Sequence, residues 1–420
     1  MAPRMRWFSS VGLLAVVATL MVELGHIRAQ NLNEGWNKLE EKYSAGPRNL
    51  ALGFLKGARV DPNERSHQEA IDLLAKTYTY GVYLRKLETQ PNAIAKDFDA
   101  FSSEIDKDIL KARDQQSMQT FAEIFRDKVH LHALEVIQFK DARPIHKLHN
   151  ARVLAEIAKL GQPELAATLI KLLKDAQQTD GVHYYMLKGL TTLIPHLQPP
   201  QQAKCAVALV EFLEQQKGLH KNATQEETEG YRVLRREAVR ALAKTHTPAI
   251  DDKVRPALVL ARFAGNDERI QPPPRIDERV EAAIGLARMQ VPPKDRQYQA
   301  DYAAGQIAKC LGAVAQAASS ELSNRDVNKD TRMHPWRILA ASLKEALDDL
   351  KKHNEKSPYV VKIADKGTQL LNQVMRGEQI GNNERTWWTS SDSDPKSKEL
   401  FQGSPDSVVK PALPSEQSEK

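Results

Sequence analysis

Residues 235–245 read RREAVRALAKT, and residues 280–290 read VEAAIGLARMQ. Each offers a charge, a small residue, an aliphatic residue, a Leu-Ala pair and a basic residue, so the chain writes one amphipathic helix twice. Weaker copies stand at RVLAEIAK (152–159), KGLTTLIP (188–195) and ILAASLKEAL (338–347). Their anchor residues are Ile157, Leu193, Leu242, Leu286 and Leu343, at irregular separations. Such recurrence constrains the fold strongly. A single helix pair cannot bury its apolar stripe alone, whereas copies stacked side by side bury it continuously.

Each copy is followed by a proline-containing turn and a second amphipathic stretch. LGQPELAATLIKLLKD turns at Gly161 to Pro163, LQPPQQAKCAVALVEFLEQ at Pro199-Pro200, HTPAIDDKVRPALVLARFAG at Pro248, and MQVPPKDRQYQADYAAGQIAKC at Pro292-Pro293. The helix after Pro248 is expected to be capped by Asp251 or Asp252, with Pro256 in its first turn or just past it, where its missing N–H costs least. Strand signals are absent, and Ala and Leu dominate with only 6% aromatic residues, so the reading is all-α.

The pattern resembles the HEAT-repeat family of armadillo-type α-solenoids. Ala238, Val239, Ala241, Leu242 and Ala243 carry the likeness, matched by Ala282, Ala283, Gly285, Leu286 and Ala287, with Arg236 and Arg240 at the family's basic positions. The likeness is clear over 143 to about 290 and weaker to about 350. The Asp-Val-Arg signature of regular members is missing, so the array is degenerate. The resemblance implies a right-handed solenoid of stacked antiparallel helix pairs that presents an extended surface to a macromolecule.

Four segments follow from this reading: a leader over 1–29, an N-terminal helical region or cap over 30–142, HEAT-like repeats over 143–380, and a tail over 381–420. Arg4 and Arg6, the apolar run Val11 to Val22 and the small residue Ala29 have the layout of a secretory signal peptide. That run is too short to cross a bilayer comfortably; an uncleaved anchor is the competing reading. The mature chain is expected in the periplasm, the cell envelope or outside the cell, without a membrane span. The net charge of +6 includes Arg4, Arg6, Arg28 and Glu23 of the leader, and so mild a tilt over 420 residues does not argue for nucleic acid. The tail is rich in Ser, Pro and Lys and is expected to be disordered. The polar stretch 319–335 is expected as an excursion before a helix starting at Trp336.

Chemistry-bearing motifs are sparse. No GxSxG, GxxxxGK[ST], HExxH or CxxCH occurs, so no catalytic residue and no cofactor is expected. Cys205 and Cys310 fall on second helices two steps apart, beyond disulfide reach, and are expected to be free and buried. His130, His132, His146 and His149 cluster in sequence; His146 and His149, three apart on a helix, share a face and offer a weak metal site, against a reading as surface histidines. Lys253, Arg255 and Arg262 are expected on a second helix, which lines the concave side in the resembled family, and are the candidate partner-facing charges. Trp387 and Trp388 either dock onto the last helices or anchor a linear motif in a partner. The reading is an exported, non-catalytic, protein-binding scaffold, with a metal- or small-ligand-handling protein built on the histidines as the alternative.

Overall fold

The computed structural model describes residues 39, 42, 45–84, 89–112, 114–214, 222–291, 297–323, 328–388, 390, 393–395 and 397–402. The leader at 1–29, the Pro292-Pro293 turn and residues 403–420 lie outside them. The described residues are helical with no strand; a single antiparallel bridge joins Tyr298 to Phe401. Contacts divide the chain into two compact units that meet in sequence at Leu160 and Gly161. The copy at 152–159 therefore belongs with the N-terminal unit.

In the first unit, α1 (Ala45–Leu55), α2 (Arg65–Thr79), α3 (Pro91–Ser103), α4 (Gln116–Gln138) and α5 (Pro144–Ile157) surround an aromatic core. The longest of them, α4, packs on α1, α2 and α5. Phe121, Phe125, Val129 and Ala133 recur every four residues and so form one buried stripe. The Phe121 and Phe125 rings stack at 5.4 Å, and Tyr78 meets Phe101 at 5.1 Å. Each fully buried phenylalanine contributes about 1.5–3 kcal/mol over leaving it exposed. A π-helical turn over Glu104–Ile109 continues α3.

The second unit holds α6 (Pro163–Lys174), α7 (Asp180–Leu193), α8 (Pro199–Glu214), α9 (Gln225–Ala243), α10 (Pro256–Gly265), α11 (Ile276–Ala287), α12 (Ala300–Ser323), α13 (Lys329–His353), α14 (Pro358–Arg376) and α15 (Asn382–Trp387). Local chemistry sets the ends. Gly161, at φ 74, makes the turn ahead of Pro163, and Pro199 and Pro256 likewise open their helices. A capping box starts α9: the Glu227 amide donates to Thr224 Oγ1 at 3.1 Å, and the Thr224 amide to Glu227 Oε2 at 2.8 Å. Gly377 closes α14 in the left-handed conformation, at φ 64.

Packing follows the repeat. Of the helices that carry the copies, α7 packs on α9, α9 on α11 and α11 on α13; of those between, α6 packs on α8, α8 on α10, α10 on α12 and α12 on α14. The two clearest copies lie face to face on α9 and α11. Ala238, Ala241, Leu242, Ala282, Ala283 and Leu286 are buried there, and Gly285 lies so close that a Cβ would sit 2.4 Å from that of Ala243. Charges flank this small-residue seam. Arg235 grips Glu278 with both forks, Nε to Oε1 at 2.5 Å and Nη2 to Oε2 at 3.0 Å, with both side chains buried. Alongside, Arg236 meets Asp277 at 3.0 Å and Arg240 meets Glu281 at 2.5 Å.

Two expectations are corrected. The stretch 319–335 is mostly helix: α12 runs to Ser323 and α13 starts at Lys329, where the Asn328 side chain accepts from the Asp330 amide at 2.8 Å. Pro335 therefore lies inside α13, tolerated at the loss of one backbone hydrogen bond. The described part of the tail, up to residue 402, packs against the second unit. Trp388, Leu400 and Phe401 are buried, because apolar side chains scattered among serines and lysines find a groove to fill.

Candidate functional site

The three basic candidates do not share a helix. Lys253 is exposed in the turn ahead of α10, where its amide and that of Val254 donate to Asp251 Oδ1 at 2.8 and 2.7 Å. Arg255 is the residue before Pro256, and only Arg262 lies on α10. The placement of Lys253 and Arg255 on a second helix is thereby corrected: Asp251 accepts within this turn rather than capping the helix, and the chain becomes helical at Pro256. Half-buried Arg262 lies close enough to Glu214 to stabilise that carboxylate, although burial dominates and leaves the Glu214 pKa raised.

Arg255 has an unexpected neighbour. Its guanidinium lies 4.9 Å from the centre of the Phe401 ring, a cation–π contact with the tail. Around it the tail is laid into the second unit. The Gln299 amide donates to the Leu400 carbonyl and the Gln402 amide to the Gln297 carbonyl, each at 2.8 Å, while Tyr298 and Phe401 pack edge to face at 5.8 Å. The Tyr359 hydroxyl on α14 donates to the Ser393 carbonyl at 2.5 Å. Burial, helped by Asp301 and Asp394, pushes the Tyr359 pKa up, so this donor stays protonated.

The floor of the groove is α12. A Cβ on Gly305 would meet Pro395 at 2.7 Å, and one on Gly312 would meet Trp388 Cβ at 2.8 Å. The two glycines allow a close approach, and what approaches is the tail. Trp388 is buried, with its ring 4.6 Å from that of half-exposed Trp387. The Trp387 ring in turn faces Lys366 and Lys362 of α14 at 4.7 and 5.4 Å. The two tryptophans thus dock onto the last helices.

The histidines sit in the first unit, and His132, His146 and His149 are core residues rather than surface ones, which corrects that reading for these three. His146 and His149 are both buried. His149 Nε2 donates to the Tyr78 carbonyl at 2.9 Å, and the His146 ring stands edge-on to Tyr83 at 5.1 Å. His132, on α4, centres a denser network. Its Nε2 lies 2.8 Å from Asp72 Oδ1 and its Nδ1 lies 2.9 Å from the Tyr80 hydroxyl and 3.3 Å from Glu135 Oε2; that hydroxyl also donates to Glu135. Lys76 completes it, 2.6 Å from Asp72 Oδ2. Burial would lower the His132 pKa, but the hydrogen bonds to Asp72 and Glu135 outweigh it and raise it. Burial likewise favours protonation of Asp72, and His132 with Lys76 reverses this, holding Asp72 well below the usual carboxylate range. His130, also on α4, is half-buried. Among the described residues, no group of three or more His, Cys, Asp or Glu is arranged to hold a metal.

Cys205 and Cys310 are buried free thiols, as their placement two steps apart implies. Burial alone pushes Cys205 up to about 12 and, against the opposing pull of Arg279, Cys310 up to about 11. Neither has the lowered pKa of a nucleophile. No helix among the described residues is long and apolar enough to cross a membrane.

Compared with family models, curated proteins and solved structures, the chain matches none.

Proposed function

We propose that the protein is an exported, non-catalytic scaffold of HEAT-like α-solenoid type that binds a protein partner through its second unit. The observation that carries this reading is the packing of α6 through α12 each on the helix after next, with the two clearest copies seated on one another across α9 and α11. Stacked helix pairs generate that pattern, and such arrays present long continuous surfaces on which binding proteins are built. In this reading α7, α9, α11 and α13 form one layer and α8, α10, α12 and α14 the other. Lys253, Arg255 and Arg262, before and on α10, belong to the partner-facing side. Export rests on the leader. The metal-handling alternative gains no support from His146 and His149, which are buried in the first unit, with His149 Nε2 donating to the Tyr78 carbonyl.

Affinity capture of the tagged full chain from an envelope extract tests the reading, with the Lys253→Glu/Arg262→Glu variant as control. One protein recovered in stoichiometric amount by the native chain, and lost with the variant at unchanged helicity, is the expected result. Recovery of nothing, or equal recovery by both, overturns the assignment of the surface. Mass spectrometry of the mature N-terminus checks export: a chain beginning near Gln30 is expected, and an intact Met1 refutes it.

A further inference from the structure

The two features singled out for partner binding, the charge of Arg255 and the tryptophan pair, meet in one place: Arg255 belongs to the groove and Trp388 to the segment lying in it. We propose that the groove floored by α12 is a docking site for an extended peptide, and that the chain's own tail, through Trp388, Ser393, Pro395, Leu400 and Phe401, occupies it in cis. Its partner is then a protein whose exposed segment carries the same chemistry: an indole, a proline seven residues on, and an aliphatic-aromatic pair closing the motif. This deepens the scaffold reading and rests on it.

The chemistry of the occupant is written in the groove. Gly312 and Gly305, seven residues apart on α12, leave room for a large ring and for a proline, at separations that any side chain there would close. At the far end recognition passes to the backbone. The Leu400 carbonyl and the Gln402 amide pair with Gln299 and Gln297, the way an extended peptide adds to an existing edge. That pairing does not depend on the guest's side chains, so selectivity falls to Tyr298 and Arg255 on the aromatic ring. Three main-chain hydrogen bonds and four apolar side chains hold the segment: the two bonds of that pairing, Tyr359 to the Ser393 carbonyl, and the side chains of Trp388, Pro395, Leu400 and Phe401. Among the described residues no helix follows Trp387, so the segment can leave without unwinding one.

A tethered occupant competes at an effective concentration on the order of 1 mM. A free peptide with a Kd near 10 µM for the open groove would therefore bind the native chain about 100-fold more weakly. The probe is a fluorescein-labelled synthetic peptide with the sequence of residues 386–402, titrated by anisotropy against the full chain and its Trp388→Ser/Phe401→Ser variant, which empties the groove without altering its walls. Binding to the variant with about a 100-fold weaker response of the native chain is expected, together with loss of binding for a peptide carrying Trp388→Ala. A variant that keeps native helicity and melting yet fails to bind the peptide overturns the proposal. If the variant does not fold, hydrogen exchange on the native chain decides: amides of Gln299 and Gln402 exchanging well before the centre of α12 support a detachable segment, and exchange in step with α12 refutes it. Peptide binding without any captured partner would leave the groove standing and sink the scaffold reading; a captured partner without peptide binding would do the reverse.

Discussion

The seam between α9 and α11 makes a prediction whose sign depends on which of two opposing effects wins. Replacing Gly285 by Ala removes a mid-helix glycine, a change that on an exposed helix stabilises by about 0.5–1 kcal/mol. Here the added Cβ would lie 2.4 Å from Ala243 Cβ, 2.8 Å from Ala243 Cα and 3.0 Å from Leu260 Cδ1, against an ordinary carbon contact of about 3.5–4 Å. Two of those atoms belong to a short side chain and a backbone that no rotamer change can move. Helix α9 must shift by about 1 Å, and overpacking of that kind costs about 1–3 kcal/mol. The expected net effect is a loss of about 1–2 kcal/mol.

Gly230 is the matched control. It is exposed on α9 with nothing within 4 Å of a built Cβ, so Gly230→Ala should stabilise by the propensity term alone. Urea unfolding followed by tryptophan fluorescence reports mainly on the second unit, which holds three of the chain's five tryptophans, Trp336, Trp387 and Trp388. The midpoint of Gly285→Ala should fall below the native value and that of Gly230→Ala should rise above it. Adding Ala243→Gly to the Gly285 variant should restore part of the loss, because it removes the closer of the two Ala243 contacts. A Gly285→Ala chain at least as stable as the native one would refute the close approach of the two copies.

Three further outcomes are expected. Arg235→Met should destabilise by about 3–5 kcal/mol by leaving Glu278 buried and unpaired, while Arg235→Met/Glu278→Leu should cost far less; a double-mutant cycle in urea with additive losses would contradict the pairing. The first unit should lose stability as pH rises. Burial, offset in part by the Tyr78 hydroxyl, raises Glu104 from 4.5 to about 7, so the folded state favours its protonated form and the contribution disappears between those values. The raised His132 pKa acts in the same direction and is lost above its ordinary value of about 6.5. Unfolding at pH 5 and pH 8 should show this difference, reduced in Glu104→Gln and in His132→Gln; a stability that climbs with pH in the first unit would refute the assignment. Finally, a thiol reagent at pH 8 should label neither Cys205 nor Cys310 until denaturant is added, and prompt labelling of the native chain would show that their burial is wrong.

How far the sequence spoke depended on whether the relevant signal was periodic. Ala238, Ala241 and Leu242 recur with their counterparts at helical spacing, and that regularity carried both the helices and the closeness of their seam. The spacing of His146 and His149 correctly placed them on one face of α5 but said nothing of what that face meets; the Tyr78 carbonyl and the Tyr83 ring come from far earlier in the chain. The Asp72–His132–Glu135 network was illegible for the same reason, since α2 supplies Asp72 and α4 the rest. In the tail, Trp388, Pro395, Leu400 and Phe401 follow no period, and a composition rich in serine and lysine outweighed four side chains with a groove to fill. Gly305 and Gly312 held half of that information. Glycines on a helix announce a close neighbour without saying whether it is another helix or a strap.

The flanking charges explain what the small residues cannot. A seam of alanines and a glycine brings two helices together but offers little relief against sliding, because one small side chain resembles the next. Directional contacts resist a shift. Arg235 reaches Glu278 with two parallel bonds whose geometry tolerates little displacement along the helix, and a third from its Nη1 to the Pro272 carbonyl at 2.9 Å ties it to the loop before α11. Arg236 with Asp277 and Arg240 with Glu281 repeat the pairing alongside, so slippage along the helix would break three ion pairs at once and pull Glu278 from its bidentate partner. That cost makes this alignment preferable to its neighbours, whatever the pair adds to stability. The basic residues of the copy at 235–245 thus set the register of α9 against α11.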